Sequence, residues 1–90
     1  MTDTYEVRVA ATAARALAKL APRVVDPLVA FIFGSLAENP KRRGKPLQRE
    51  LAGNWGARRG DYRIVYRLDD DTKTLHVLLI DHRADVYRPR

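Results

Sequence analysis

Ninety residues suffice for one domain, residues 1–90, with a modest core, because a chain this short buries only about 60% of its unfolded surface. It has no cysteine, which excludes a disulfide framework, thiolate metal ligation and a cysteine nucleophile, and fits a reducing compartment. The net charge of +6 is uneven: nine bases and two acids between Lys41 and Arg67 carry +7, and the rest of the chain carries −1.

Residues 4–9 (TYEVRV) alternate Tyr5, Val7 and Val9 against Glu6 and Arg8, the period of a half-buried strand. Thr12 is placed to cap a helix in which Ala13, Ala16, Leu17 and Leu20 fall on one face, with Arg15 and Lys19 outside. Pro22 breaks it. A second helix is predicted over residues 23–37, where Val25, Leu28, Val29, Ile32 and Leu36 form a stripe widened by Val24 and Phe31. Pro27 is tolerable there only near the helix start. Asn39-Pro40 ends the helix, and Gly44 and Pro46 mark residues 41–50 (KRRGKPLQRE) as a loop.

Strands then return. Residues 54–59 (NWGARR) form a short one interrupted by Gly56. Residues 61–68 (DYRIVYRL) alternate Tyr62, Ile64, Tyr66 and Leu68 against Arg63, Val65 and Arg67. Asp69, Asp70 and Asp71 turn the chain into residues 74–81 (TLHVLLID), whose continuous apolar character predicts a central strand. The fold class is therefore α+β, in the order β-α-α-β-β-β. A helix hairpin covers one face of a small, mainly antiparallel, twisted sheet, and Arg63 and Arg67 stand on the other face.

The apolar runs at residues 28–33 and 77–80 fall far short of the ~20 residues that a membrane span needs. The N-terminal MTDTYEVRVAA has no apolar signal region. A cytoplasmic protein with no membrane partner is expected. A local basic patch suits a polyanion, and thirteen of the seventeen bases are arginine, whose planar fork matches phosphate. Composition alone also fits a solvated surface, with Arg63 and Arg83 paired to Asp61, Asp81 or Asp85. Tyr62, Tyr66 and Trp55 read as packing residues, His76 as an ordinary strand residue, and residues 41–43 as nonspecific phosphate attraction.

The runs GDYRIVYRL and DHRADVYR, preceded by NPKRRGKPLQRELAGNWGARR, resemble the RelE toxins of RelBE toxin–antitoxin pairs in order, spacing and length. The resemblance implies a RelE-like fold and a ribosome-dependent endoribonuclease that cuts translating messenger RNA with neither metal nor other cofactor. It implies an acidic, RelB-like antitoxin as partner, in a heteromeric complex. Carried over, Arg63 and Arg83 take the positions of active-site arginines and Tyr87 that of a tyrosine beside the substrate nucleotide. Lys45, Arg49, Arg58, Arg59 and Arg67 are the accompanying RNA-binding candidates. RelE relatives keep lysines where this chain has Asn54, Gly56, Arg58 and Arg59, and arginine is a poor general base. That leaves Tyr87 or His82 for proton transfer, with the base unassigned. A ParE-like toxin acting on DNA gyrase, or a non-catalytic RNA-binding module, is the alternative.

Overall fold

The computed structural model describes residues 4–82. The first strand, β1, is Glu6–Val9. Helix α1 (Ala11–Ala18) and helix α2 (Pro22–Phe31) follow, joined by residues 19–21. A wider π-type turn, Ile32–Leu36, continues α2. A single helical turn, α3 (Pro40–Arg43), precedes the short strand β2 (Lys45–Pro46). After a 3₁₀ turn at Arg49–Leu51 come β3 (Trp55–Arg59), β4 (Tyr62–Asp69) and β5 (Thr74–His82). The five strands form one sheet in the order β1-β5-β4-β3-β2, with β1 parallel to β5 and all other neighbours antiparallel.

The predicted amphipathic patterns place the core. Tyr66, Ile64, Leu75 and Val77 from the sheet meet Ala13, Leu28, Ile32 and Leu36 from the helices, and all eight are essentially buried. Trp55, Tyr62 and Leu68 pack against this cluster, as do Val7, Leu17 and Leu20. Each fully buried aliphatic or aromatic side chain contributes about 1.5–3 kcal/mol of transfer free energy, so this single layer of contacts dominates the stability of so small a chain.

Three local expectations change. Thr12 does not cap α1; Ala10 holds the cap position, and no side chain caps it. The Thr12 hydroxyl instead donates to the Leu78 carbonyl at 2.9 Å. Leu78 is the residue skipped where the β4–β5 register steps from Val65–Leu79 to Tyr66–Val77, so Thr12 serves a carbonyl at a β-bulge. Pro27 lies well inside α2, not at its start, because Pro22 already occupies the first turn. Both Pro27 and Arg23, whose carbonyl loses its helical donor, are exposed, which limits the cost of the missing bond.

The third change concerns residues 41–50, which are more than a loop. Pro40 starts α3, where its fixed φ and missing N–H are harmless. Lys45 then pairs with Gly56 and Pro46 with Trp55, adding a fifth, edge strand to the four expected. The Tyr66 hydroxyl donates to the Pro40 carbonyl, and Gly44 passes so close to Tyr66 that a Cβ would lie 2.0 Å from the hydroxyl oxygen. Proline on an edge strand costs no central ladder bond.

Candidate nucleic-acid interface

Residues directly opposite one another in antiparallel strands share a face, so the register assigns each side chain. Ala57, Ile64 and Ile80 lie on the helix-covered face, as do Arg59, Tyr62 and His82. The opposite face carries two cross-strand rows, Arg58–Arg63–Asp81 and Lys45–Gly56–Val65–Leu79. Further along it, Arg67 stands opposite His76, which pairs in turn with Arg8 of β1. Arg63 and Arg67, four residues apart on one strand, are therefore about 13 Å apart along it.

The bulge decides which acid meets Arg63. Regular alternation from Leu75 and Val77 would have placed Asp81 among the helix-facing side chains. The extra residue, Leu78, shifts Leu79 and Asp81 to the open face and Ile80 and His82 to the helix side. As a result Asp81 Oδ2 sits 3.5 Å from Arg63 Nη2, with both side chains about a quarter exposed. On the other flank Arg58 is directly opposite Arg63. Like charges directly opposite repel, an arrangement that an anion between them would relieve.

Next to this pair lies a cleft of about 510 Å³ lined by Arg43, Gly44, Lys45, Leu47, Gly56, Ala57, Arg58 and Arg63. Among the described residues, four of the eight that line it are cations and none is an acid. Gly56 explains the close approach of the floor: a Cβ there would meet Leu47 Cδ2 at 3.0 Å. A glycine inside a strand is the sequence sign of such an approach. Among the described residues, the buried Nε of Arg63 has no hydrogen-bond partner.

The structure thus brings Arg63, Arg58 and Lys45 together and adds Arg43, which sequence reasoning had placed in a nonspecific basic cluster. Arg67 shares the face but stands apart, exposed, beyond Val65. Arg59 lies on the helix side, its guanidinium 5.8 Å from the Phe31 ring centroid, and Arg49 lies on the 3₁₀ turn outside the cleft lining. His82 packs edge-on against Tyr62, ring centroids 5.0 Å apart, on the face opposite Arg63, so it is not poised to move a proton in the cleft. Arg83 and Tyr87 lie outside the described residues. Among the described residues, no three His, Cys, Asp or Glu side chains converge as a metal-binding group. Nor, among those residues, is any helix long and apolar enough to cross a membrane.

Two further charges are tied down by the fold. Asp70 accepts from the Tyr5 hydroxyl at 2.6 Å and from Lys41 Nζ at 2.8 Å. The hydrogen bonds from Lys41 and Tyr5 hold its carboxyl below the usual carboxylate range. Burial pushes the Tyr66 hydroxyl up to about 12.

The family described as ParE toxin of the type II toxin–antitoxin system parDE matches residues 7–87. The chain is 55% identical over 84 residues to Toxin RelG of Mycobacterium tuberculosis, covering 93% of this chain and 97% of that toxin. It is 45% identical over 84 residues to Toxin RelE of the same organism, covering 93% and 87%. The fold is similar to a chain in the crystal structure of the M. tuberculosis toxin–antitoxin complex RelBE2, with a TM-score of 0.85 at 52% identity, covering 89% of this chain and 99% of that one. Kinship along almost the whole length, on a shared fold, makes this chain a member of the RelE/ParE family: a RelE-type toxin of a type II toxin–antitoxin system.

Proposed function

We propose that this toxin is a ribosome-dependent endoribonuclease that cuts translating messenger RNA by attack of a 2′-hydroxyl on the adjacent phosphate. The observation that carries the reading is the cleft in which Arg43, Lys45, Arg58 and Arg63 converge, with no acid among the described residues that line it. RNA supplies its own nucleophile, already tethered next to the phosphorus. The protein then has to orient the strand and stabilise the charge that develops on the phosphoryl oxygens. Arg63, joined by Arg83, supplies that stabilisation without a metal. Tyr87 stacks beside the nucleotide, and Lys45, Arg58 and Arg67 hold flanking phosphates. Arg49 and Arg59, which the fold sets apart from the cleft, contribute at most long-range attraction.

Likeness to a chain of the RelBE2 toxin–antitoxin complex supports a RelB-like antitoxin as the cognate partner. An acidic, partly disordered segment folding over the open face would neutralise Arg63 and Arg83 and block RNA by competition. The reading places the activity on cytoplasmic ribosomes. Induction in growing cells is expected to yield message fragments with 2′,3′-cyclic phosphate ends, and Arg63→Ala to reduce them strongly. The match to the family described as ParE favours a second reading, inhibition of DNA gyrase. Intact transcripts accompanied by stalled gyrase would select it.

A further inference from the structure

Asp81 is conspicuous because it stands beside the cationic cleft without lining it. Its place depends on the bulge at Leu78, without which the carboxylate would point to the helix side. A partly exposed ion pair adds little to stability, so the contact with Arg63 has small value as a structural tie. At 3.5 Å it is also longer than the about 2.7–2.9 Å of a charge-assisted hydrogen bond. The carboxylate therefore restrains the guanidinium without saturating it. Meanwhile the buried Nε of Arg63 has no partner among the described residues. Unmatched buried donors are rare, and at a functional site they mark a bond completed by something else.

We propose that Asp81 is a positioning residue for Arg63: it steers one amino group of the guanidinium and offsets the opposing charge of Arg58, leaving the Nε edge for an incoming phosphate. Because this Nε is buried in the free protein, binding requires a rotation of the Arg63 side chain that turns the edge into the cleft, where a phosphoryl oxygen takes the donor. The arrangement separates two effects of one carboxylate. By its charge Asp81 weakens the attraction of the cleft for any anion, and by its position it makes the anion that does bind meet Arg63 in one orientation. Removing the charge should thus preserve or tighten ground-state binding while slowing chemistry, which is the signature of lost orientation.

The inference rests on the ribonuclease reading for its catalytic half, but its first test does not. In the full chain, ¹⁵N spectra report the Nε–H of Arg63, assigned by its loss in Arg63→Lys, during titration with inorganic phosphate at low ionic strength. The wild-type signal is expected to move saturably. In Asp81→Asn the movement shrinks at least fivefold, although phosphate still binds at equal or lower concentration. With translating ribosomes, Asp81→Asn should lower kcat at least tenfold without raising KM, and Asp81→Glu should recover part of it. If Asp81→Asn does not fold, the same comparison is made with Asp81→Glu, whose longer arm shifts the Nε–H response without removing the charge. A merely structural role would reduce the active fraction and leave the Nε–H response of the folded protein alone. A wild-type Nε–H that ignores phosphate, or an unchanged response in both variants, overturns the proposal whatever the cleavage assay shows. An Asp81-dependent phosphate response in a protein that cuts no RNA supports the positioning role and removes the ribonuclease reading instead.

Discussion

The hydroxyl of Tyr66, at the centre of the sheet, donates a 2.5 Å hydrogen bond to the carbonyl of Pro40, and so ties the core to the base of the basic segment. Tyr66 and Pro40 are both buried. The segment held by this bond carries Arg43 and Lys45 to the cleft.

Removing the hydroxyl should therefore be costly even though Phe keeps the ring. Tyr66→Phe removes the shorter of two bonds to the buried Pro40 carbonyl, which keeps the Gly44 N–H at 3.2 Å, so a loss of about 0.5–1.5 kcal/mol is expected. Gly44→Ala should also destabilise, because its Cβ would lie 2.0 Å from the Tyr66 hydroxyl oxygen and 2.8 Å from the Gly56 carbonyl oxygen. The two should not add: without the hydroxyl the first clash is gone and the second remains. Urea unfolding of the two single variants and the double variant measures this. Strict additivity would mean that Gly44 and Tyr66 do not meet as described.

Alkaline stability gives an independent reading of the same group. The Tyr66 hydroxyl has its pKa raised from 10.0 to about 12 by burial. Between those values the unfolded chain loses a proton that the folded chain keeps, so stability is intact below pH 10 and falls as pH rises towards 12. The slope is about 1.4 kcal/mol per pH unit. The difference between wild type and Tyr66→Phe isolates it from the other tyrosines and the lysines. A difference that stays flat from pH 9 to 12 would show that Tyr66 is not shielded from water.

The sequence was informative where a regular period meets a single buried face. Tyr62, Ile64, Tyr66 and Leu68 against Arg63 and Arg67 needed only alternation to be read correctly, because β4 runs unbroken. The short strand at Lys45 and Pro46 was not legible, since two residues have no period and the segment leading into them is tied at Pro40 by a hydroxyl 26 residues away in sequence. The place of Asp81 escaped for a related reason. One extra residue in β5 reverses the faces of everything after it, and a bond that accommodates Leu78 comes from Thr12 in a helix. Arg58 and Arg59 were grouped as equals because composition counts charges without regard to face.

Asp70 should make the fold sensitive to acid. Its folded pKa is lowered, first by the hydrogen bond from Lys41 and then by that from Tyr5, so its contribution is present above the usual carboxylate range. It is lost as pH falls through the folded value. Relative to wild type, Asp70→Asn should be less stable at neutral pH, and the gap should close in acid. Added salt should narrow it as well, because the Lys41–Asp70 pair is exposed. Thermal melts of both proteins at several pH values are sufficient; a gap that widens in acid would contradict the assignment.

Arg58 and Arg59 offer the sharpest separation of interface from scaffold, since they are adjacent in sequence and on opposite faces. Arg58 lines the cleft beside Arg63, whereas Arg59 sits over Phe31. Arg58→Ala should weaken binding of single-stranded RNA about tenfold, as expected for loss of one charge-assisted phosphate contact. It should also lower the dependence of log K on log salt by about 0.7. Arg59→Ala should leave both quantities near wild type and instead cost about 0.5–1 kcal/mol of stability through the lost cation–π contact. Arg63→Ala should reduce cleavage about 10²–10³-fold, the size of losing one donor to a developing oxyanion. Binding isotherms at four salt concentrations and urea melts distinguish the outcomes for Arg58 and Arg59, and a cleavage assay with translating ribosomes checks that for Arg63. Equal losses of RNA affinity from Arg58→Ala and Arg59→Ala would mean that RNA is held by net charge, and that the sheet face has no part in choosing where it lies.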